Sequence, residues 1–210
     1  MLGFTESTKI QTRPQLIEGL KDVKQLAAGS NHVLALTSKG EVLAWGAGQQ
    51  CQLARRIIER NKLTSLHPQG VGLPKNKIAK VACGSYHSFA ITKDGSVYAW
   101  GLNNFAETGV PDDAGSDDAV VLRPTKITAL EEYKIADIAG GVHHSLAATE
   151  DGKLVTWGRV DGSQVGVTKD VLNEENTIYD DRKLPRILIK PAVIPGKGFP
   201  SPRFVSPVQT

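Results

Sequence analysis

Gly29-Ser30-Asn31-His32-Val33-Leu34-Ala35-Leu36-Thr37-Ser38-Lys39-Gly40-Glu41-Val42-Leu43-Ala44-Trp45-Gly46 is the stretch that decides the fold, because the chain repeats its pattern twice more. The second copy runs from Gly84 to Gly101 and the third from Gly141 to Gly158. Their histidines, His32, His87 and His144, stand 55 and 57 residues apart. Each copy has a glycine three residues before the histidine (Gly29, Gly84, Gly141) and another eight after it (Gly40, Gly95, Gly152). Each ends on Trp-Gly (Trp45-Gly46, Trp100-Gly101, Trp157-Gly158), and these are the chain's only three tryptophans. Agreement at so many fixed spacings marks an internal repeat.

Within one copy the chemistry is that of a hairpin. Val33 to Thr37 is an apolar run of strand length, Ser38-Lys39-Gly40 is a turn, and Glu41 to Gly46 is a second strand. Lys93-Asp94-Gly95 and Glu150-Asp151-Gly152 make the same turn in the other copies. A further strand precedes each hairpin, over Val23 to Ala28, Ile78 to Cys83 and Ile135 to Ala139. Upstream of that lies a short run opened by proline, Pro14-Gln15-Leu16-Ile17 or Pro124-Thr125-Lys126-Ile127, with Pro68 and Pro185 in similar places. Four short strands per unit, at a period somewhat above the ~40–50 residues of common propeller repeats, predict an all-β chain of β-propeller blades. Three four-stranded blades are expected, and no convincing helical periodicity competes with them. The shared glycines, histidines and tryptophans serve the blade. Function belongs where the copies differ: at Asn31, Tyr86 and His143 before the repeated histidine, and in the connectors Gln49 to Pro74, Asn103 to Arg123 and Arg159 to Pro185.

The bulk numbers narrow the classes. The 210 residues are 40% hydrophobic, enough for a buried core. No apolar run approaches the ~18 residues of a membrane span, and Met1 to Ser7 lacks the pattern of a secretory leader. Cys51 and Cys83 stand far apart in no pair motif, which suits a reducing compartment. Net charge is +3, but Arg182 to Thr210 holds six basic residues and no acidic one, leaving the rest of the chain net negative. Gly196-Lys197-Gly198 is too short for a phosphate loop, so the chain is not expected to bind nucleotide itself. Asp112, Asp113, Asp117 and Asp118 read as a solvated loop, since their spacing fits no calcium site. No spacing suggests a metal centre or a Ser-His-Asp set. No cofactor, no small-molecule substrate and no covalent chemistry are therefore expected.

Ala28-Gly29-Ser30-Asn31-His32, Trp45-Gly46-Ala47-Gly48-Gln49-Gln50-Cys51-Gln52-Leu53, Gly141-Val142-His143-His144-Ser145 and the connector Arg55-Arg56-Ile57-Ile58-Glu59-Arg60-Asn61-Lys62-Leu63 resemble the regulator of chromosome condensation family. The resemblance covers roughly residues 14 to 194, and the connector resembles the fungal form of the founding member. It implies a seven-bladed propeller in the nucleus, a guanine-nucleotide exchange factor for the small GTPase Ran, with Ran on one face and histones, chromatin or DNA on the other. By the same resemblance His143, Arg55 and Asn31 fall at positions of the Ran-binding face. Asn31 stands where founding members carry aspartate, which keeps the hydrogen-bonding shape and loses the charge. Ala54 replaces a usual glycine. The family's β-wedge would fall at or before Met1.

The repeat fades at its far end. Pro185 predicts a fourth histidine near 204, where Phe204 stands, and six of the 11 prolines lie between Pro185 and Thr210. The expected organisation is the end of a preceding blade over 1–20, three repeats over 21–194, and a basic Pro-rich tail without fixed structure over 195–210. Three blades do not close a ring of seven, so a fragment with impaired exchange activity is expected. The alternative reading is a non-catalytic repeat module that binds chromatin or another protein, with the basic tail meeting phosphates.

Overall fold

The computed structural model describes residues 10–74 and 77–196. Within them the chain forms three antiparallel sheets, one per repeat. The first holds β1 (Val23–Ala28), β2 (His32–Thr37), β3 (Val42–Gly46) and β4 (Gln69–Gly70), in that order. The second holds β5 (Ile78–Cys83), β6 (His87–Thr92), β7 (Val97–Leu102) and β8 (Val120–Lys126). The third holds β9 (Ile135–Gly140), β10 (His144–Thr149), β11 (Leu154–Arg159), β12 (Thr177–Tyr179) and β13 (Pro185–Val193). The hairpins and the strands before them fall where the repeat predicts.

Two expectations need correction. The proline-opened runs do not begin the blade that follows them; they close the one before. Thr125 in β8 pairs with Ala99 of β7, and Gly70 in β4 pairs with Leu43 of β3. Proline cannot donate to a ladder, and Pro124 sits accordingly on the outer edge strand β8. The run Pro14 to Ile17 forms no strand, and Leu16 is exposed. The third sheet also has five strands where four were expected, ordered β12-β13-β11-β10-β9. Thr177–Tyr179 folds back on β13 through a turn in which Lys183 takes a φ of 58°. The connectors add two 3-10 segments, Glu59–Leu66 and Thr128–Leu130, which carry no apolar stripe for periodicity to reveal. The expected tail falls almost wholly outside the described residues.

The sheets stack face to face, and Trp100 and Trp157 each fill the gap to the preceding sheet. Trp100 packs with Leu34, Leu36, Ile78 and Val81 between the first two sheets. Trp157 packs with Phe89, Ile135 and Ile138 between the second and third, its ring edge-on to Phe89 at 6.2 Å. Both indoles are fully buried, so each needs a partner for its N–H. Trp100 Nε1 donates to the carbonyl of Gln52 at 2.9 Å, and Trp157 Nε1 to that of Glu107 at 2.9 Å.

The same two carbonyls accept a second bond each. Ser88 Oγ donates to Gln52 O at 3.0 Å and Ser145 Oγ to Glu107 O at 2.7 Å. Each serine also contacts the repeated histidine of the blade before it, His32 Nε2 at 2.9 Å and His87 Nε2 at 3.0 Å. A hydroxyl has one proton to give. It is spent on the carbonyl, so the imidazole must donate Nε2–H. The histidines, serines, tryptophans and loop carbonyls thus form one clasp between successive blades. In the first copy Val33 stands where Ser88 and Ser145 stand, and cannot take part.

Burial keeps these histidines neutral. It lowers the pKa of His32 from 6.5 to about 4; for His87, burial first and then the neighbouring His32, His143 and His144 lower it to about 3. In the unfolded chain both protonate near the ordinary value of ~6.5, so the unfolded state binds more protons below that pH. Stability is then expected to be full above pH ~6.5 and to fall as pH drops towards the native values, by up to ~1.4 kcal/mol per unit for each histidine. Urea unfolding at a series of pH values checks this, and His87→Gln should remove one histidine's share of the slope. Ser145→Ala strands a buried Nε2–H and should lower stability by about 1–3 kcal/mol, read from the urea midpoint.

Candidate functional site

The antiparallel order brings the β1–β2 loop and the β3–β4 loop of each blade to one end of the stack. The Trp-Gly glycines shape that end. Gly46, Gly101 and Gly158 have φ of 114°, 110° and 108°, values that L side chains rarely adopt. A Cβ on Gly46 would lie 2.4 Å from the carbonyl oxygen of Asn31, and one on Gly101 2.6 Å from that of Tyr86. Those carbonyls accept from the strand ends: Ala47 N–H to Asn31 O at 2.6 Å, Leu102 N–H to Tyr86 O at 3.0 Å, Arg159 N–H to His143 O at 2.8 Å. Shared backbone geometry therefore presents three unshared side chains. The loops are also tied to one another, Ser30 N–H to Ser85 O at 3.2 Å and Ser85 N–H to Gly141 O at 2.9 Å.

The three residues named from the sequence share this end but not one environment. Asn31 is exposed. His143 is half-buried and densely contacted. Its Nδ1 lies 2.8 Å from Glu107 Oε1, and its ring lies 4.8 Å from that of Phe105. Phe105 in turn carries the guanidinium groups of Arg159 at 4.8 Å and Arg186 at 5.4 Å over its ring. Arg159 is paired with Asp161 at 2.7 Å, which raises the arginine's pKa and lowers that of the carboxyl. Arg55 is folded inward. Its guanidinium donates to Ala44 O at 3.1 Å, and burial lowers its pKa. In this state Arg55 satisfies the edge of β3, while Arg56, Arg60 and Lys62 in the same connector are exposed. Phe105, Glu107 and Arg159 were not singled out from the sequence. Glu107 could have been found, since Gln52 and Gln164 hold its place in the other copies.

Among the described residues no cluster of side chains could hold a metal ion, and no helix is long and apolar enough to cross a membrane. The site is a surface of loops. The profile of the RCC1-like domain matches residues 1–202. The chain belongs to the RCC1-like domain family. Its sequence is 43% identical to protein pim1 of Schizosaccharomyces pombe over 93% of this chain and 36% of that protein. It is 41% identical to the guanine nucleotide exchange factor SRM1 of Saccharomyces cerevisiae over 83% of this chain and 36% of that protein. In three dimensions it is similar to Prp20p of Saccharomyces cerevisiae, studied for its binding to Gsp1p and histones, with a TM-score of 0.82 and 38% identity over 90% of this chain and 43% of that one. The RCC1-like chain thus spans little more than a third of the length of these curated relatives.

One departure inside this RCC1-like repeat has a measurable cost. Ala54 has a φ of 57°, whereas Gly109 and Gly166 hold the equivalent place at 75° and 67°. A Cβ in the left-handed region is strained. Ala54→Gly is expected to raise stability by about 1 kcal/mol, read from urea or thermal unfolding.

Proposed function

We propose that the chain is part of a nuclear guanine-nucleotide exchange factor for the small GTPase Ran, and that it meets Ran through the loops carrying Asn31, Arg55 and His143. What supports the reading is that the unshared side chains gather on one face while the shared ones form the inter-blade clasp, in a chain similar over most of its length to an exchange factor. The chemistry asked of this face is recognition alone. A factor that binds nucleotide-free Ran more tightly than the loaded form must, by reciprocity, weaken nucleotide binding to Ran. Emptied Ran then refills from the surrounding GTP. Histones, chromatin or DNA are the partners expected on other surfaces, since the solved relative was examined for histone binding.

The same logic extends to the organisation of the chain. The runs opened by Pro68, Pro124 and Pro185 close the blade before them, and by the same pattern residues 1–20 are assigned to the end of a preceding blade and 21–194 to three repeats. Because the chain spans about a third of its curated relatives, it is expected to bind nucleotide-free Ran and to accelerate GDP release less than a seven-bladed relative does. Release of fluorescent GDP from Ran, with and without the chain, measures this. His143→Ala should weaken binding about tenfold, the scale of one lost hydrogen bond to a polar or charged partner. Asn31→Asp should strengthen it. A chain that ignores nucleotide-free Ran, with or without His143, sinks the reading.

A further inference from the structure

Glu107 and His143 stand in two different copies at places where the copies differ, and the fold brings them together. The other copies carry Gln52 and Gln164 at the place of Glu107, and Asn31 and Tyr86 at the place of His143. All three residues at the first place do one common job. Gln50 N–H donates to Gln52 Oε1 at 2.9 Å, Gly162 N–H to Gln164 Oε1 at 2.8 Å, and Phe105 N–H to Glu107 Oε2 at 2.9 Å. A glutamine is therefore sufficient for the turn. What the carboxylate adds is a second oxygen, fully buried and 2.8 Å from His143 Nδ1.

We propose that Glu107 is a positioning residue for His143: it holds the ring proton on Nδ1 and so decides what the other nitrogen, Nε2, offers to a bound partner. This rests on the reading of this face as the Ran-binding face. An ionised carboxylate only accepts hydrogen bonds, so Nδ1 must donate. Nε2 then carries a lone pair in the neutral ring, and no hydrogen-bond partner meets it among the described residues. The Phe105 ring at 4.8 Å limits how the imidazole can turn. The clasp histidines have the opposite arrangement, with Nε2 donating to serine. The two kinds of histidine in this fold therefore differ in which nitrogen carries the proton, and the neighbour sets the difference.

Glu107→Gln isolates the effect, because the sister copies show how glutamine sits here. Its amide oxygen would take the Phe105 N–H, leaving the NH2 group towards Nδ1. Nδ1 must then accept, and the proton moves to Nε2. The outward nitrogen changes from acceptor to donor while the turn is kept.

The test uses the whole chain labelled with 15N, at mildly alkaline pH where imidazoles are neutral. The ring nitrogens of His143 should report a protonated Nδ1 in the unaltered chain and a protonated Nε2 in E107Q. A protonated Nε2 in the unaltered chain, or the same tautomer in both, overturns the proposal; the first of these needs no folded variant. In parallel, E107Q should weaken binding to nucleotide-free Ran by about tenfold, and should do nothing more in an H143A background. An equal loss in both backgrounds would mean that Glu107 acts on the fold and not through His143. If the unaltered chain binds no Ran, that counts against the exchange-factor reading, and the ring-nitrogen signals still decide the role of Glu107.

Discussion

Two backbone carbonyls, those of Gln52 and Glu107, carry most of the specificity of this architecture. Each receives a tryptophan N–H and a serine O–H from the next blade. Apolar packing between sheets is tolerant of small slips, since dispersion has no direction. Hydrogen bonds at 2.7–3.0 Å to a single oxygen are not tolerant. The indole must reach across the gap, the serine must sit one residue past a histidine, and the loop must return its carbonyl to the same point. The spacing of the repeat follows from these three demands. So does the neutrality of the buried histidines, whose Nε2–H has one acceptor within reach.

The clasp also explains how much could be read in advance. Spacing gave the strands and hairpins nearly to the residue, because a period in sequence is a period in backbone geometry. It could not say which sheet a strand joins. Pro124 lies between two hairpins, and its neighbours Thr125 and Lys126 pair backward with Ala99 and Tyr98; a one-dimensional pattern has no preference there. Thr177–Tyr179 was hidden for a different reason. Three residues that form the outer edge of a sheet leave no alternation to detect.

The candidate face was legible in the same partial way. Asking where the copies differ led to Asn31 and His143 without any geometry. The family resemblance puts Arg55 at a partner-facing position, and in the structure its guanidinium lies on the carbonyls of Ala44 and Leu53, since a loop crossing a strand edge leaves acceptors that need a donor. Glu107 was passed over although it breaks the Gln52/Gln164 pattern. A glutamate for a glutamine looks like a minor change until its second oxygen is seen beside an imidazole. That pairing joins residues 36 apart in different repeats, and only the stacking of blades reveals it.

Val33 makes the joints of the array unequal. The histidine of one blade donates to a hydroxyl on the blade after it, at His32 with Ser88 and at His87 with Ser145. In the first copy a hydrocarbon side chain stands at the place of that hydroxyl. A histidine N–H set against Val33 would lose its acceptor, at a cost on the order of 1–3 kcal/mol. Two joints are therefore keyed by directional bonds, while the outer side of the first sheet offers apolar contact alone at this position.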